Sequence, residues 1–245
     1  MSPGPEGFTL GQASLPMRLM TTLFLLCVAL GFVSAQINLM ERVGREDGVP
    51  GPPSLRDVQW HFAGNPRQSR LARAISPGGV MAMHISGEER AEVLGWIEGG
   101  APEDIYRARM LPIFESRCLG CHATADGVRM PILGDFDQIR PVTQPGQAMT
   151  VAQLALVTHQ HALSIPVFLV LLGTALWLTH AATGIKVIGM VLPLLGTMID
   201  LSCWWLTALV SPAWAVGVFA GGVMMGLGLI PLLTVPLWEM WLRRG

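Results

Sequence analysis

Residues 156–181 read LVTHQHALSIPVFLVLLGTALWLTHA, a run that contains no Asp, Glu, Lys or Arg. Two further apolar runs follow it, from Val187 to about Val210 and from Ala213 to about Met240. Each run exceeds the roughly 20 residues that a helix needs to cross a hydrocarbon core about 30 Å thick. The links between the runs are short, so the sequence predicts a three-helix transmembrane domain over residues 156–245 with tight antiparallel connections.

The composition indicates that a polar domain is joined to this membrane domain. Of the 245 residues, 51% are hydrophobic and 13% are charged, which is too apolar for an ordinary soluble domain. The charges are concentrated in residues 36–155, which hold 12 Arg and 14 Asp or Glu. The formal net charge of −1 leaves no basic excess for neutralising phosphates, so we expect no nucleic-acid partner.

The N-terminal residues 1–35 have the pattern of an export signal. An apolar stretch from Leu19 to Ala35 follows a mostly polar leader that carries Arg18, and it ends in the short residues Val33-Ser34-Ala35. The stretch is either a cleaved signal peptide or a retained signal anchor, and the long leader favours the anchor. In both cases residues 36–155 are exported.

The positions of the basic residues predict the orientation in the membrane. If residues 36–155 lie outside, then Arg18, Lys186, Arg243 and Arg244 all lie on the cytoplasmic side, close to membrane ends. We therefore expect a multi-pass protein of the cytoplasmic (inner) membrane with its polar domain on the periplasmic side.

The polar domain is expected to be helical, which makes the whole chain all-α. Ser86 and Glu89 form a capping-box pattern that opens a helix ending at Gly99-Gly100. A second short helix through Tyr106 and Phe114 leads to Cys118. Residues 123–149 are rich in glycine and proline and predict mostly loop, with one helical turn near Asp135 to Ile139.

The string Cys118-Leu119-Gly120-Cys121-His122 carries the chemistry of this domain. In a C-x-x-C-H string the two cysteines form thioether bonds to the vinyl groups of a haem, and the adjacent histidine binds the iron axially. The sequence therefore predicts one covalent haem c on Cys118 and Cys121, with His122 as the proximal iron ligand.

A C-x-x-C pair can also contribute to a zinc site or act as a redox-active dithiol. A zinc knuckle needs one or two further Cys or His ligands at knuckle spacing, but Cys27 and Cys203 lie inside apolar runs. A redox-active dithiol of the thioredoxin type needs a βαβ pattern, which the sequence lacks. Both are less favoured than haem.

The passage from Cys121 to Gly134 resembles class I c-type cytochromes. Its Pro131-Ile132-Leu133-Gly134 is similar to the P-x-L-x-G passage of that family. The resemblance implies a small helical cytochrome fold in which the Pro131 carbonyl steadies His122. It argues against Met130 as an iron ligand, since only seven residues separate Met130 from His122.

A second segment resembles the methionine loop and the C-terminal helix of the same family. It comprises Met81-Ala82-Met83-His84 and then residues 86–102, which end in WIEGGAP. In the family this element follows the haem-binding string, whereas here it precedes Cys118, so the domain is either rearranged or retains the remnant of an upstream unit. The resemblance implies Met81 or Met83 as the distal ligand, with His84 and His159 as reserves.

Three ionisable residues of the membrane domain form a second candidate site. His159 and His161 lie at the outer end of the first apolar run, and Asp200 lies about ten residues from the outer end of the next. Ionisable side chains at such depth are costly and often functional. They indicate either a quinol or proton-handling site or a structural His161–Asp200 hydrogen bond between two helices.

These observations predict a membrane-anchored monohaem c-type cytochrome that transfers electrons at the outer face of the membrane. We expect a carrier or a subunit of a larger respiratory or photosynthetic redox complex rather than a stand-alone enzyme. Its partners would be a redox protein or the quinol pool. A quinol-oxidising subunit and a haem-based sensor are the alternatives.

Overall fold

The computed structural model describes residues 7–123 and 130–243, and these residues form helices and no strand. They divide into two compact units. The membrane unit takes its residues from 1–58 and 156–245, and the polar unit comprises residues 59–155. The predicted all-α fold class is confirmed.

Eleven helices follow one another in the described ranges. They are α1 (Leu15–Arg42), α2 (Leu55–Ala63), α3 (Arg70–Ile75), α4 (Gly87–Glu98), α5 (Glu103–Ile105), α6 (Leu111–Arg117), α7 (Leu119–His122), α8 (Phe136–Thr143), α9 (Val151–Trp177), α10 (Thr183–Leu209) and α11 (Ala215–Trp241). A π-helical segment, Tyr106–Met110, joins α5 to α6, and the short 3-10 turn Pro212–Trp214 precedes α11.

Four helical segments are long and apolar enough to cross a membrane. They are α1, α9, α10 and the segment Pro212–Trp241. The three predicted apolar runs are thus confirmed as helices, although α9 begins at Val151, before the expected Leu156. α1 continues beyond Ala35 to Arg42, since no glycine or proline interrupts the chain before Gly44.

Long-range hydrogen bonds bring one set of helix ends together in the membrane unit. Arg18 donates to the carbonyl oxygens of Gly11 at 2.5 Å and Met240 at 2.8 Å. The backbone N–H of Leu10 donates to the Leu178 carbonyl at 2.9 Å. The start of α1 and the ends of α9 and α11 therefore meet at what we call the Arg18 end, and the turn Pro212–Trp214 marks the opposite, Trp214 end.

Glycines bring α10 and α11 into close contact. A Cβ atom on Gly196 would lie 2.7 Å from the carbonyl oxygen of Gly221, and one on Gly221 would lie 2.6 Å from that of Gly196. Side chains at these positions would separate the helices, and small residues commonly allow such close packing in membranes. Gly222 and Gly226, on the same helix as Gly221, have no atom near a Cβ and play no such part.

The polar unit has its own apolar core. The capping box predicted at its longest helix is confirmed, because Ser86 Oγ accepts from the Glu89 N–H at 3.2 Å and Glu89 Oε2 accepts from the Ser86 N–H at 2.9 Å. The core residues are Leu71, Ile75, Ile85, Val93, Trp96, Ala101, Tyr106, Met110, Ile113, Phe114, Leu133, Ile139 and Val142, which we call the polar-unit core. Ile139 and Val142 enter it from α8, and their burial accounts for a helix longer than the single turn predicted near Asp135 to Ile139.

Candidate functional site

The C-x-x-C-H string lies on one helical turn that continues from α6. The carbonyl oxygen of Cys118 accepts from the backbone N–H of Cys121 at 3.1 Å and from that of His122 at 2.9 Å. Both thiols are free; Cys118 is partly buried against the polar-unit core, and Cys121 is exposed. Their short separation along the chain and the helical turn keep both thiols and the imidazole in one place.

His122 is held by the residue that the family resemblance implies. The imidazole is buried, and its Nδ1 atom lies 2.7 Å from the carbonyl oxygen of Pro131. A carbonyl oxygen can only accept, so Nδ1 carries the proton and Nε2 of the neutral ring keeps its lone pair. The hydrogen bond to Pro131 therefore leaves Nε2 as the ring atom that could bind a metal.

The environment of Cys118 favours its protonated thiol. Burial raises the pKa of the Cys118 thiol, and the nearby negative charge of Glu89 raises it further. Glu89 also caps α4 and pairs with Arg117 at 3.0 Å, immediately before the string. The cap of α4 and the end of α6 thus meet beside Cys118.

The structure separates the candidates for the distal ligand. Met81 is partly buried and packs against the polar-unit core, on which Cys118 and Leu119 also pack. Met83 is 85% exposed, and His84 is also exposed. His159 lies on α9 in an exposed position. Of the four candidates, only Met81 shares a core with the C-x-x-C-H string.

A haem fits the donor set of this region. The two free thiols and the available Nε2 atom supply the three groups that covalent attachment and axial ligation require. The hydroxyl group of Tyr106 is buried in the polar-unit core and has no hydrogen-bond partner among the described residues. Such an atom is costly unless something bonds it, and a prosthetic group in this core would supply a partner. Residues 124–129 of the resembling passage lie outside the described residues.

No three His, Cys, Asp or Glu side chains in ranges 7–123 and 130–243 are grouped so as to hold a bare metal ion. Haem ligation needs no such group, because the porphyrin supplies four of the iron ligands.

The predicted polar site of the membrane unit also contains Trp204, which was not predicted from the sequence and which contacts both Asp200 and His161. Asp200 is buried on α10, and its Oδ1 atom accepts from the indole N–H of Trp204 at 3.0 Å. The ring of Trp204 meets the imidazole of His161 edge to face, with 5.2 Å between centroids. His161 Nδ1 lies 2.8 Å from the Val157 carbonyl oxygen. We call His161, Asp200 and Trp204 the α9–α10 polar cluster.

Two expectations about this cluster need correction. His161 and Asp200 form no direct hydrogen bond, because each is bonded within its own helix and Trp204 links them. His159 does not join the cluster, since it is two residues from His161 on α9 and is exposed. Trp204 follows Asp200 by four residues, which is about one helical turn. This spacing is the sequence pattern from which their contact could have been predicted.

A further ionic cluster lies at the Arg18 end. Glu239 is buried and accepts a short hydrogen bond from His180 Nδ1, and Arg243 pairs with it at 3.2 Å. The spacing of Glu239 and Arg243 suits a helical ion pair. No local sequence pattern indicates that His180 pairs with Glu239, because the two residues are 59 positions apart along the chain. The ammonium group of Lys186 also lies at the Arg18 end, where it donates to the Trp177 carbonyl at 2.9 Å.

The helices and their hydropathy define a multi-pass helical membrane protein. The model of the Aq_1264_TM family, a transmembrane helical domain, matches residues 124–245, which include the last three spans. No curated protein and no solved structure shows significant similarity to the chain.

Proposed function

We propose that this protein is a membrane-anchored monohaem c-type cytochrome that transfers single electrons. The observation that carries the proposal is the hydrogen-bond geometry of His122, whose Nδ1 is fixed on Pro131 and whose Nε2 is left as the available lone pair. The two cysteines with the required spacing share its helical turn. The family resemblance implies the same arrangement.

Each residue of the site has a role in this proposal. Cys118 and Cys121 would hold the haem through thioether bonds, and His122 would bind its iron. Met81 would be the second protein ligand of the iron, because it packs against the same core as the C-x-x-C-H string. The haem, when bound, supplies the one-electron chemistry. The chain holds it, orients the proximal imidazole and surrounds it with an apolar core that excludes water.

The membrane unit anchors the proposed cytochrome in the bilayer. Arg18, Lys186 and Arg243 lie at the Arg18 end, so that end faces the cytoplasm under the positive-inside rule. In this proposal the protein resides in the cytoplasmic membrane with the haem on the periplasmic side. It exchanges electrons there with a redox partner protein or the quinol pool, as a carrier or as a subunit of a larger complex.

The test is whether haem is covalently bound to the two cysteines. The purified protein should keep its colour after denaturation and acid-acetone extraction, and it should give a c-type pyridine haemochrome spectrum. Cys118→Ser and Cys121→Ser should each lose a thioether bond, and the double variant should lose covalent haem. Cys27→Ala, which changes an exposed cysteine of α1, is the control and should retain it. A wild-type protein that yields all its colour to extraction, or that binds zinc instead, would refute the proposal.

A further inference from the structure

The α9–α10 polar cluster has two hydrogen-bond acceptors without an assigned use. The Val157 carbonyl fixes the His161 proton on Nδ1, so Nε2 of the neutral ring is an acceptor. Asp200 receives one hydrogen bond, from Trp204, and a carboxylate can accept several. Among the described residues no cation pairs with Asp200, so a ligand that donates a hydrogen bond would compensate its burial.

Both acceptors lie within the membrane-spanning segments. His161 is five residues after Leu156, where the membrane unit resumes, and Asp200 is nine residues before Leu209, the last residue of α10. At 1.5 Å per residue, these positions are roughly 8 and 14 Å along their helices from those two residues. A ligand that reaches them must therefore dissolve in the bilayer.

The groups that face Asp200 restrict the ligand further. The backbone of Gly221 on α11 packs directly against Asp200, since a Cβ on Gly221 would lie 2.8 Å from the Asp200 Cβ. The ring of Trp204 lies between the two acceptors, and it is half-buried, as is His161. Trp204 thus offers an aromatic surface beside both acceptors. Apart from Asp200, the charged residues of α9, α10 and α11 are Lys186 and Glu239, which lie at the Arg18 end.

We propose that the α9–α10 polar cluster binds the headgroup of a membrane quinol. A quinol has an apolar aromatic ring that can lie against Trp204 and two hydroxyl groups that donate hydrogen bonds. His161 Nε2 and the Asp200 carboxylate are the two acceptors. The phosphate of a phospholipid does not match, because it accepts hydrogen bonds and would be repelled by the carboxylate.

The redox role of this site rests on the proposed haem function. Oxidation of one quinol breaks two O–H bonds and releases two protons and two electrons. The protons pass to His161 Nε2 and the Asp200 carboxylate and from there to water. The haem, when bound, would supply the one-electron chemistry that carries the two electrons singly to the redox partner protein, and the product is the quinone.

Binding is tested in nanodiscs with decylubiquinone and decylubiquinol as probes. Decylubiquinol should quench tryptophan fluorescence saturably, and titration gives the affinity. Decylubiquinone, which has carbonyl acceptors in place of hydroxyl donors, should bind more weakly. Asp200→Asn keeps an acceptor for Trp204 but removes the carboxylate, and His161→Phe keeps the ring contact but removes Nε2. Each variant should bind the quinol about tenfold more weakly, as expected for one lost hydrogen-bond partner.

Matched controls separate binding from folding and from haem attachment. Gln160→Ala and Ser202→Ala change exposed neighbours of the two acceptors and should leave the affinity unchanged. The double variant C118S/C121S should still bind the probe, so a missing haem and a missing quinol site give different results. Unchanged affinity in both Asp200→Asn and His161→Phe, or no saturable binding by the wild-type protein, would overturn the inference and leave the cluster a structural link between α9 and α10.

Discussion

The guanidinium group of Arg18 donates a hydrogen bond to the carbonyl oxygen of Met240, 222 residues further along the chain. The same group bonds the carbonyls of Gly11 and Ala13, and Leu10 is buried beside Met240 in the core of the membrane unit. The residues around the start of α1 are therefore part of the folded bundle. This contact favours a retained anchor over a cleaved signal peptide.

We predict that the mature protein retains α1. Cleavage after Ala35 would remove Arg18 and the buried side chains of Leu10 and Leu25, leaving the end of α11 without its partners. Intact-mass measurement of protein purified from membranes should include residues 7–35. A mature N-terminus at Gln36 would contradict this prediction.

The distal ligand is predicted to be Met81. Met81→Ala should abolish the near-infrared methionine-to-iron band and lower the haem potential, since thioether ligation raises that potential relative to bis-histidine ligation. Met83→Ala and His84→Ala are the controls and should keep the band, because both side chains are exposed. The assignment fails if Met81→Ala leaves the band intact.

Carbon monoxide distinguishes the carrier from the alternative of a haem-based sensor. A six-coordinate haem with Met81 in place should not bind carbon monoxide when reduced, whereas Met81→Ala should bind it. Rapid binding by the wild-type protein would favour a sensor with an open or displaceable site.

The cap of α4 should make stability depend on pH. Hydrogen bonds from the Ser86 backbone and hydroxyl groups, followed by Arg117, lower the pKa of Glu89 below its ordinary value of 4.5. A lowered folded-state pKa stabilises the fold above the unfolded-state pKa, and this contribution is lost as the pH falls through the folded-state value. Glu89→Gln should therefore flatten the dependence of the unfolding free energy on pH below about 4.5.

Glu88→Gln is the matched control for this effect. Glu88 precedes Glu89 on the same exposed turn but does not form the capping box. Ser86→Ala, which removes the N-cap hydroxyl, should cost about 1 kcal/mol at neutral pH. If Glu89→Gln and Glu88→Gln show the same dependence of the unfolding free energy on pH, the capping box does not control acid unfolding.

The features of the structure that could be predicted are those that a short, contiguous stretch of sequence determines. The apolar runs and the capping box are contiguous patterns, so hydropathy and helix chemistry sufficed to predict them. The contact of His122 with Pro131, which is nine residues further along the chain, was implied by the family resemblance. His180 and Glu239 are too far apart in the chain for any local pattern to pair them, and the difference in burial between Met81 and Met83 depends on a tertiary core.

The membrane orientation is predicted from the basic residues at the Arg18 end. A reporter active only in the cytoplasm should be active when fused after Gly245, and a periplasmic reporter inserted in the turn Pro212–Trp214 should be active there. The Gly245 fusion with the periplasmic reporter is the control and should be inactive. The reverse pattern would place the polar unit in the cytoplasm, where covalent haem attachment is not expected.

The close contact of α10 and α11 is predicted to be sensitive to a single methyl group. In Gly221→Ala the new Cβ would meet the carbonyl oxygen of Gly196 and the backbone of Asp200, so the helices must separate. Overpacking of this kind typically costs about 1 to 3 kcal/mol. Thermal unfolding in detergent should therefore show a lowered midpoint.

Gly222→Ala provides the matched control, since the same methyl group one position along α11 would meet no atom within 4 Å. Alanine is also the better helix former, so this variant should be as stable as the wild-type protein or slightly more stable. Because the backbone of Gly221 also packs against Asp200, Gly221→Ala should weaken quinol binding as well, whereas Gly222→Ala should not. Equal midpoints for the two variants would show that the glycine contact does not determine the packing of α10 on α11.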